Sequence, residues 1–522
     1  MTAHLFNLFH PSVGIRIFAI TRTATRYGER IVNHDITFRI LENLRVWFYL
    51  RLEPLAPARL RHYRSGDVLN RIVADIDALD NLYIRVLSPV IVALAITLIA
   101  TAGFRCFDQG AALILLIGMG TAGLALPIAS ERAGRGPGKA LARQFTEMRI
   151  HLVEGVQGLA ELLIFDAAHR HQQTILRCQD RLIRAQARMS HISGAGSAGL
   201  TLISGATVGM VLYWGAGHVQ TGQLDGAVLA MLAFGALAAF EVIWPLPTAF
   251  QYLSRTRVAA RRLMEIVEQT PAVEFPDMAP PPRENAIAFE DVNFRYAPQE
   301  PDVLRNFSLK IGQGERVAVM GATGAGKSTL MHLLVRFWDP DKGCIRIGGR
   351  DLRAIDEDDL RGCMAVVSQQ SHLFNATIEE NLRLACPGAD DNMLWAALRA
   401  ARLDSFVAAL PEGLATWIGE SGHTLSGGEA RRMAVAQAVL RNAPIWLMDE
   451  PTEGLDGTNE QLLMDTLLEL TARRTLLLIT HRPAALHRLD RIAILEGGRI
   501  VEEGPHDALL TAGGHYTRLY RP

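Results

Sequence analysis

The sequence has almost no net charge, few cysteines and no basic leader, and each shortage removes a class of protein. Lys and Arg number 53 against 54 Asp and Glu, a net charge of −1, so no overall basic field marks nucleic acid as the partner. The five cysteines, Cys106, Cys178, Cys344, Cys363 and Cys386, are an odd number with no CxxC pair and no metal-ligand spacing, and read as reduced thiols, mostly cytoplasmic. The opening MTAHLFNLFHPSVGIRIF lacks a basic n-region and a small-residue cleavage site, so no removable signal peptide is expected. What is abundant is apolar: 49% of residues are hydrophobic, the mean hydropathy is +0.14, and these residues concentrate in the first half. At 522 residues, two units of roughly 200–250 residues each are expected, one for the membrane and one soluble.

A membrane-spanning helix needs about 20 apolar residues. Residues 86–104, 110–130, 194–216 and 224–250 meet that length, the last interrupted by Pro245 and Pro247. Basic residues crowd the flanks on one side: Arg59, Arg61, Arg64 and Arg71, then Arg132, Arg135, Lys139 and Arg143, then Arg255, Arg257, Arg261 and Arg262. Those flanks are expected to be cytoplasmic, and the loops near Asp108 and at 217–225 to face outward. Residues 26–85 and 131–188 keep a helical apolar spacing but hold too many charges for lipid. They read as extensions of the membrane helices toward the soluble unit. Residues 5–20 are apolar but short and interrupted, which predicts an incomplete or displaced first membrane helix. Glu241 falls inside the last span, where an acid must face water, a cavity or a helix partner.

At 276–282 four prolines in seven residues end any helix and favour an extended spacer. Beyond it the runs RVAVM, MAVVS, IWLMD and TLLLIT alternate with helical patterns, which predicts buried parallel strands in an α/β domain. Gly321, Ala322, Thr323, Gly324, Ala325, Gly326, Lys327, Ser328 and Thr329 follow the strand-like RVAVM and precede a helical stretch, the context of a phosphate-binding loop. Its amides and the helix N-terminus suit phosphate oxygens, Lys327 the β- and γ-phosphates and Ser328 a Mg²⁺ ion. The strand IWLMD ends on Asp449 and Glu450; Asp449 suits the Mg²⁺ shell, and Glu450 suits polarisation of the attacking water. ATP and Mg²⁺ are therefore the expected ligands.

Between these elements Leu425 to Glu429 reads LSGGE, and the combination resembles the ATP-binding-cassette family, whose signature is LSGGQ. The resemblance covers nearly the whole chain. It implies that Ser426, Gly427, Gly428 and Glu429 serve ATP held by an opposite subunit. It further implies Tyr296 as an adenine-stacking aromatic, Gln369 as the link between Mg²⁺ and the membrane domain, Asp456 at the dimer contact, and His481 as the switch near the γ-phosphate. Each also has a plain alternative: strand packing for Tyr296, a polar loop residue for Gln369, a satisfied histidine for His481. Glu429 replaces the usual glutamine and sets an acid beside a polyanion, which is expected to weaken that half-site, with Arg431 and Arg432 near enough to offset it.

SGDVLNRIVADIDALDNLY and ELLIFDAAHR resemble the two cytoplasmic loops of exporters with six helices per subunit. The implied architecture is an all-α exporter-type transmembrane domain over 1–262, a linker over 263–284 and an α/β P-loop ATPase over 285–522. The match begins almost at once after Met1, so the first membrane helix is expected to be missing and the second shortened. More narrowly, ITRTATRYGERIVNHDITFRIL, LSPV, ALAAFEVIWP and DEPTEGLD resemble the thiol-reductant exporters that serve cytochrome bd assembly. That implies a bacterial inner-membrane location with a cytoplasmic ATPase, a heterodimer with a related half-transporter, and cysteine or glutathione as cargo. Lipid or peptide cargo, or a regulatory ATPase role, are the alternatives.

Overall fold

The computed structural model describes residues 9–63, 65–277, 279–369, 372–419, 425–454, 457–482 and 485–520. The chain forms two compact units, Met1–Pro54 with Arg61–Gln269, and Leu55–Leu60 with Thr270–Pro522.

The first unit is helical: α1 (Phe9–Leu52), α2 (Gly66–Arg105), α3 (Gln109–Gln157), α4 (Leu159–Ile164), α5 (Ala168–Gln220), α6 (Gly226–Phe240) and α7 (Leu246–Val267). Helices α2, α3 and α5 are long and apolar enough to cross a bilayer, and α6 is a shorter apolar helix. Residues 5–20 suggested an incomplete or displaced first membrane helix; the described part from Phe9 onward runs on into the charged stretch as α1, which is not among the helices apolar enough to cross a bilayer. The stretch 26–85 is not one extension. It breaks between Leu52 and Gly66, where Pro54 and Pro57 lack the N–H that a continuing helix needs.

Asp108 caps α3 by accepting from Ala111 N at 2.6 Å, and Asp225 caps α6 by accepting from Ala227 N at 3.0 Å. These side chains satisfy free N–H groups at two helix starts, at the loops that carry little basic charge. Leu115, Met119, Leu200, Val211 and Phe240 form the core of this unit. Close backbone approach between α3 and α5 depends on Gly118, where a Cβ would sit 2.2 Å from Thr207 Oγ1.

Residues 224–250 are not one span. The helix stops at Phe240 and restarts at Leu246, because Pro245 and Pro247 cannot donate to the carbonyls of Glu241 and Ile243. The intervening turn is held by Glu241 N to Ala238 O at 3.2 Å and Leu246 N to Ile243 O at 3.0 Å. Helix α7 then continues to Val267, past the boundary expected at residue 262. RRLMEIV keeps its amphipathic spacing, and the first proline after it is Pro271.

The second unit carries two sheets. A four-stranded antiparallel sheet runs in the order Leu304–Ile311, Ile287–Phe294, Lys342–Ile347, Arg350–Asp351. A six-stranded sheet runs Arg499–Gly504, Arg491–Glu496, Arg316–Met320, Thr475–Ile479, Ile445–Asp449, Met364–Val367, parallel except at its first edge. All four apolar runs read from the sequence are strands of this sheet. Two of them, Ile445–Asp449 and Thr475–Ile479, are buried at every residue, as a parallel sheet covered on both faces requires. Ile479 pairs with Val319 on one side and Asp449 on the other. Three strands therefore end at one level, and their C-terminal loops open on a single crevice.

Candidate nucleotide site

Strand Arg316–Met320 delivers Gly321, and helix Lys327–Leu334 begins at the end of the loop. A Cβ at Gly321 would lie 2.2 Å from Leu495 O, so only glycine passes the neighbouring strand. Gly326 caps the helix at φ 104°, a left-handed conformation that side chains resist. The loop thus leads directly into a helix N-terminus, an arrangement that binds anions. Lys327 is buried, and its Nζ donates to Gly321 O at 2.8 Å and Ala322 O at 3.0 Å. Burial holds its ammonium below the ordinary lysine range, while Glu450 and Asp449 pull it back up. A buried cation in a hollow of amides matches the charge of a phosphate chain.

Asp449 is buried at the end of its strand and bonds the Ser328 hydroxyl. Burial raises its carboxyl above the ordinary aspartate range, against the Ser328 bond and Lys327. Glu450 follows at φ 47°, a conformation costing about 1–3 kcal/mol outside glycine. Its N–H donates to Ile479 O at 2.8 Å, which fixes the turn and sends the carboxylate away from the sheet. Glu450 Oε1 stands 2.9 Å from His481 Nδ1. The Gln369 carboxamide donates to Glu450 Oε2 at 3.4 Å and to Glu453 Oε2 at 3.1 Å. Ser328, Gln369 and Asp449 stand at one side of a cavity of about 500 Å³ whose lining also includes Met331, Val335, Phe337, Met364 and Val366. The hydroxyl, amide and carboxylate oxygens of Ser328, Gln369 and Asp449 are the hard donors that Mg²⁺ takes.

The fold therefore brings Lys327, Ser328, Gln369, Asp449, Glu450 and His481 together. Tyr296 is tied in by its hydroxyl, 3.0 Å from Thr329 Oγ1 and 3.0 Å from His332 Nδ1, and its ring meets Phe294 and Trp338 edge-on. It belongs to an aromatic cluster beside the phosphate-loop helix. Ser426 to Glu429 open a different helix, Gly427–Arg441. Ser426 Oγ accepts from Glu429 N at 3.3 Å, and Glu429 Oε2 accepts from Ser426 N at 2.7 Å. Either glutamate or glutamine serves at the third position of such a capping box, so Glu429 keeps the cap that a glutamine would make. The Glu429 carboxylate is turned back onto its own helix start. Arg431 does not offset it: its guanidinium donates to Gln369 O at 2.9 Å and stands 3.7 Å from Glu453. Sequence reasoning missed this tie, because nothing local to Arg431 encodes a partner so far away. Asp456 lies outside the described residues.

Glu241, at the turn between α6 and α7, has found charged partners on α1. Arg22 Nη2 donates to its Oε1 at 2.7 Å, and Arg26 Nη2 stands 3.6 Å away.

Taken with the helical unit, this site defines an ATP-hydrolysing exporter half: a multi-pass membrane protein joined to an ATP-binding cassette. Residues 304–453 match the ABC transporter family, and the fold is that of a bacterial Atm1-family ABC exporter, with a TM-score of 0.86 at 24% identity over 98% of this chain and 91% of that one. The chain is 40% identical to the glutathione/L-cysteine transport system ATP-binding/permease protein CydC of Escherichia coli, over 98% of this chain and 89% of the relative. It is 30% identical to the corresponding CydD of Bacillus subtilis, over 98% and 89%. The chain belongs to the ABC transporter family and is an ATP-binding/permease half-transporter similar to CydC.

Proposed function

We propose that this chain is the CydC-like half of a heterodimeric exporter that moves cysteine or glutathione from cytoplasm to periplasm across the bacterial inner membrane, in support of cytochrome bd assembly. The observation that carries the reading is the difference between 40% identity to a CydC and 30% to a CydD over the same share of the chain. A chain on the CydC side of that divide needs a CydD-like partner, and its membrane half, over about residues 1–262, meets membrane lipid.

In this reading the amides of Gly321 to Thr329 hold the phosphates and Lys327 neutralises them. Ser328, Asp449 and Gln369 would hold Mg²⁺, which when bound draws charge from the phosphate oxygens. Glu450 takes the proton of the attacking water, and His481, on its other side, reports the γ-phosphate. Tyr296 meets the adenine. Ser426, Gly427 and Gly428 at the start of their helix complete the partner's site, with Asp456 at the contact. Gln369 is bonded to both Glu450 and, through its carbonyl, Arg431. It is therefore placed to carry a change at the phosphate to the signature helix, and hydrolysis would release the closed pair.

The test is ATP-dependent accumulation of labelled glutathione and cysteine in inverted vesicles holding this chain with its partner, against Lys327→Ala. Accumulation lost in the variant supports the reading. Vigorous hydrolysis without accumulation of either thiol refutes the cargo and leaves an exporter of lipid or peptide.

A further inference from the structure

Sequence spacing offers no metal motif, yet the fold assembles a set of donors where α3 and α5 pack together outside their most apolar stretches. Glu147 and His151 stand one helical turn apart on α3, and Cys178 of α5 is fully buried. One ligand atom from each of the three lies within 4.8 Å of the other two. We propose that Glu147, His151 and Cys178 form a Zn²⁺ site that clamps α3 to α5.

The chemistry selects the ion. Thiolate, imidazole and carboxylate together suit zinc, whereas Mg²⁺ and Ca²⁺ prefer oxygen alone. Bond lengths of about 2.0–2.3 Å in a tetrahedron set the donors about 3.3–3.8 Å apart, so side-chain adjustment closes the site without moving a helix. Binding converts the Cys178 thiol to a thiolate, and its proton leaves to solvent. Three protein ligands leave a fourth position for water.

The surroundings support the donors. Arg181 Nη1 donates to Glu147 Oε1 at 3.1 Å, which orients the carboxylate. The other terminal nitrogen of Arg181 is 4.0 Å from Cys178 Sγ, so one guanidinium ties the α3 carboxylate to the α5 thiol. Glu154 Oε2 stands 3.8 Å from His151 Nδ1, which adds a second carboxylate beside the imidazole. The spacing between the helices is fixed nearby. His171 Nε2 lies 3.0 Å from His151 O, against Gly155, where a Cβ would come within 2.5 Å of the ring.

The measurement is metal binding to the purified complex of this chain with its partner, stripped by chelator and titrated with Co²⁺ and then Zn²⁺. The expected result is a thiolate-to-cobalt charge-transfer band, displaced by zinc. Glu147→Gln and Cys178→Ser should each abolish the band or weaken zinc binding at least about tenfold. ATP hydrolysis by both variants reports that the complex has folded. If Cys178→Ser fails to assemble, Glu147→Gln alone decides the matter, since it keeps the volume of a partly exposed side chain. A complex with no charge-transfer band, or a band that either folded variant leaves unchanged, overturns the site. None of these outcomes depends on which cargo is carried.

Discussion

Replacing Glu450 by glutamine removes one negative charge and leaves the backbone in place, while the oxygen that accepts from Gln369 Nε2 becomes an NH₂ group facing that donor. The backbone bond to Ile479 O and the left-handed turn belong to the main chain. The carboxamide oxygen can still accept from His481 Nδ1, the partner at 2.9 Å. What disappears is the oxygen that would take the proton of the attacking water. A positioned general base contributes about 10²–10⁴ in rate, or about 2.7–5.4 kcal/mol of barrier at 1.36 kcal/mol per tenfold. Because the phosphate loop is untouched, ATP binding should stay within about threefold of the parent. The assay is steady-state phosphate release by the assembled complex, run with a partner whose own phosphate loop is inactivated so that its hydrolysis sets no floor. Binding of a fluorescent ATP analogue is measured in parallel. The expected outcome is hydrolysis down by at least about a hundredfold with nucleotide retained. Parental turnover in a complex that binds ATP would remove Glu450 from the role of base. Loss of binding together with turnover would mean that the carboxylate chiefly holds the site's shape.

Asp449 gives a pH dependence. Its burial raises the carboxyl above the ordinary aspartate range, so a proton competes for that oxygen at higher pH than on a free aspartate. Mg²⁺-dependent nucleotide binding should be complete above the raised pKa and lost as pH falls through it, while Mg²⁺-independent binding is less affected; equal acid limbs with and without Mg²⁺ would refute this. Glu429→Gln keeps the capping box, so hydrolysis should stay within about twofold, whereas a tenfold loss would show that the charge itself is used. Ser426→Ala removes the cap, worth about 1 kcal/mol, and should lower hydrolysis where Glu429→Gln does not. Burial pushes the Cys363 thiol up to about 11, so alkylation followed by peptide mass analysis should leave Cys363 unmodified at mildly alkaline pH until the chain is denatured. Rapid labelling of the native protein would contradict its placement.

The parts of this molecule that could be read in advance are those whose cause is local. Strand Ile445–Asp449 announces itself because burial on both faces leaves no polar position in the run, and Gly321 to Thr329 because phosphate binding needs its residues next to one another. The capping box is equally local, a serine followed three residues later by a glutamate before an apolar run, but it went unread because the same residues also fit a phosphate-binding signature. Prolines 245 and 247 marked the broken span, but where the helix stops depends on which carbonyls lose their donors, and that follows only from counting back to Glu241 and Ile243. What stayed hidden is the approach of residues far apart in sequence: Arg431 to Gln369, Arg22 to Glu241, and Cys178 to within 4.8 Å of Glu147 and His151. Each brings charged or metal-binding groups from separate elements to one place, where an uncompensated charge is costly. Glu241 was recognisable as a group that must find a partner, though not as one that finds it on α1. A sequence can therefore disclose that a charge requires an answer before the fold discloses which residue supplies it. That is why the nucleotide site, built at the ends of adjacent strands, was largely legible while the ties between helices were not.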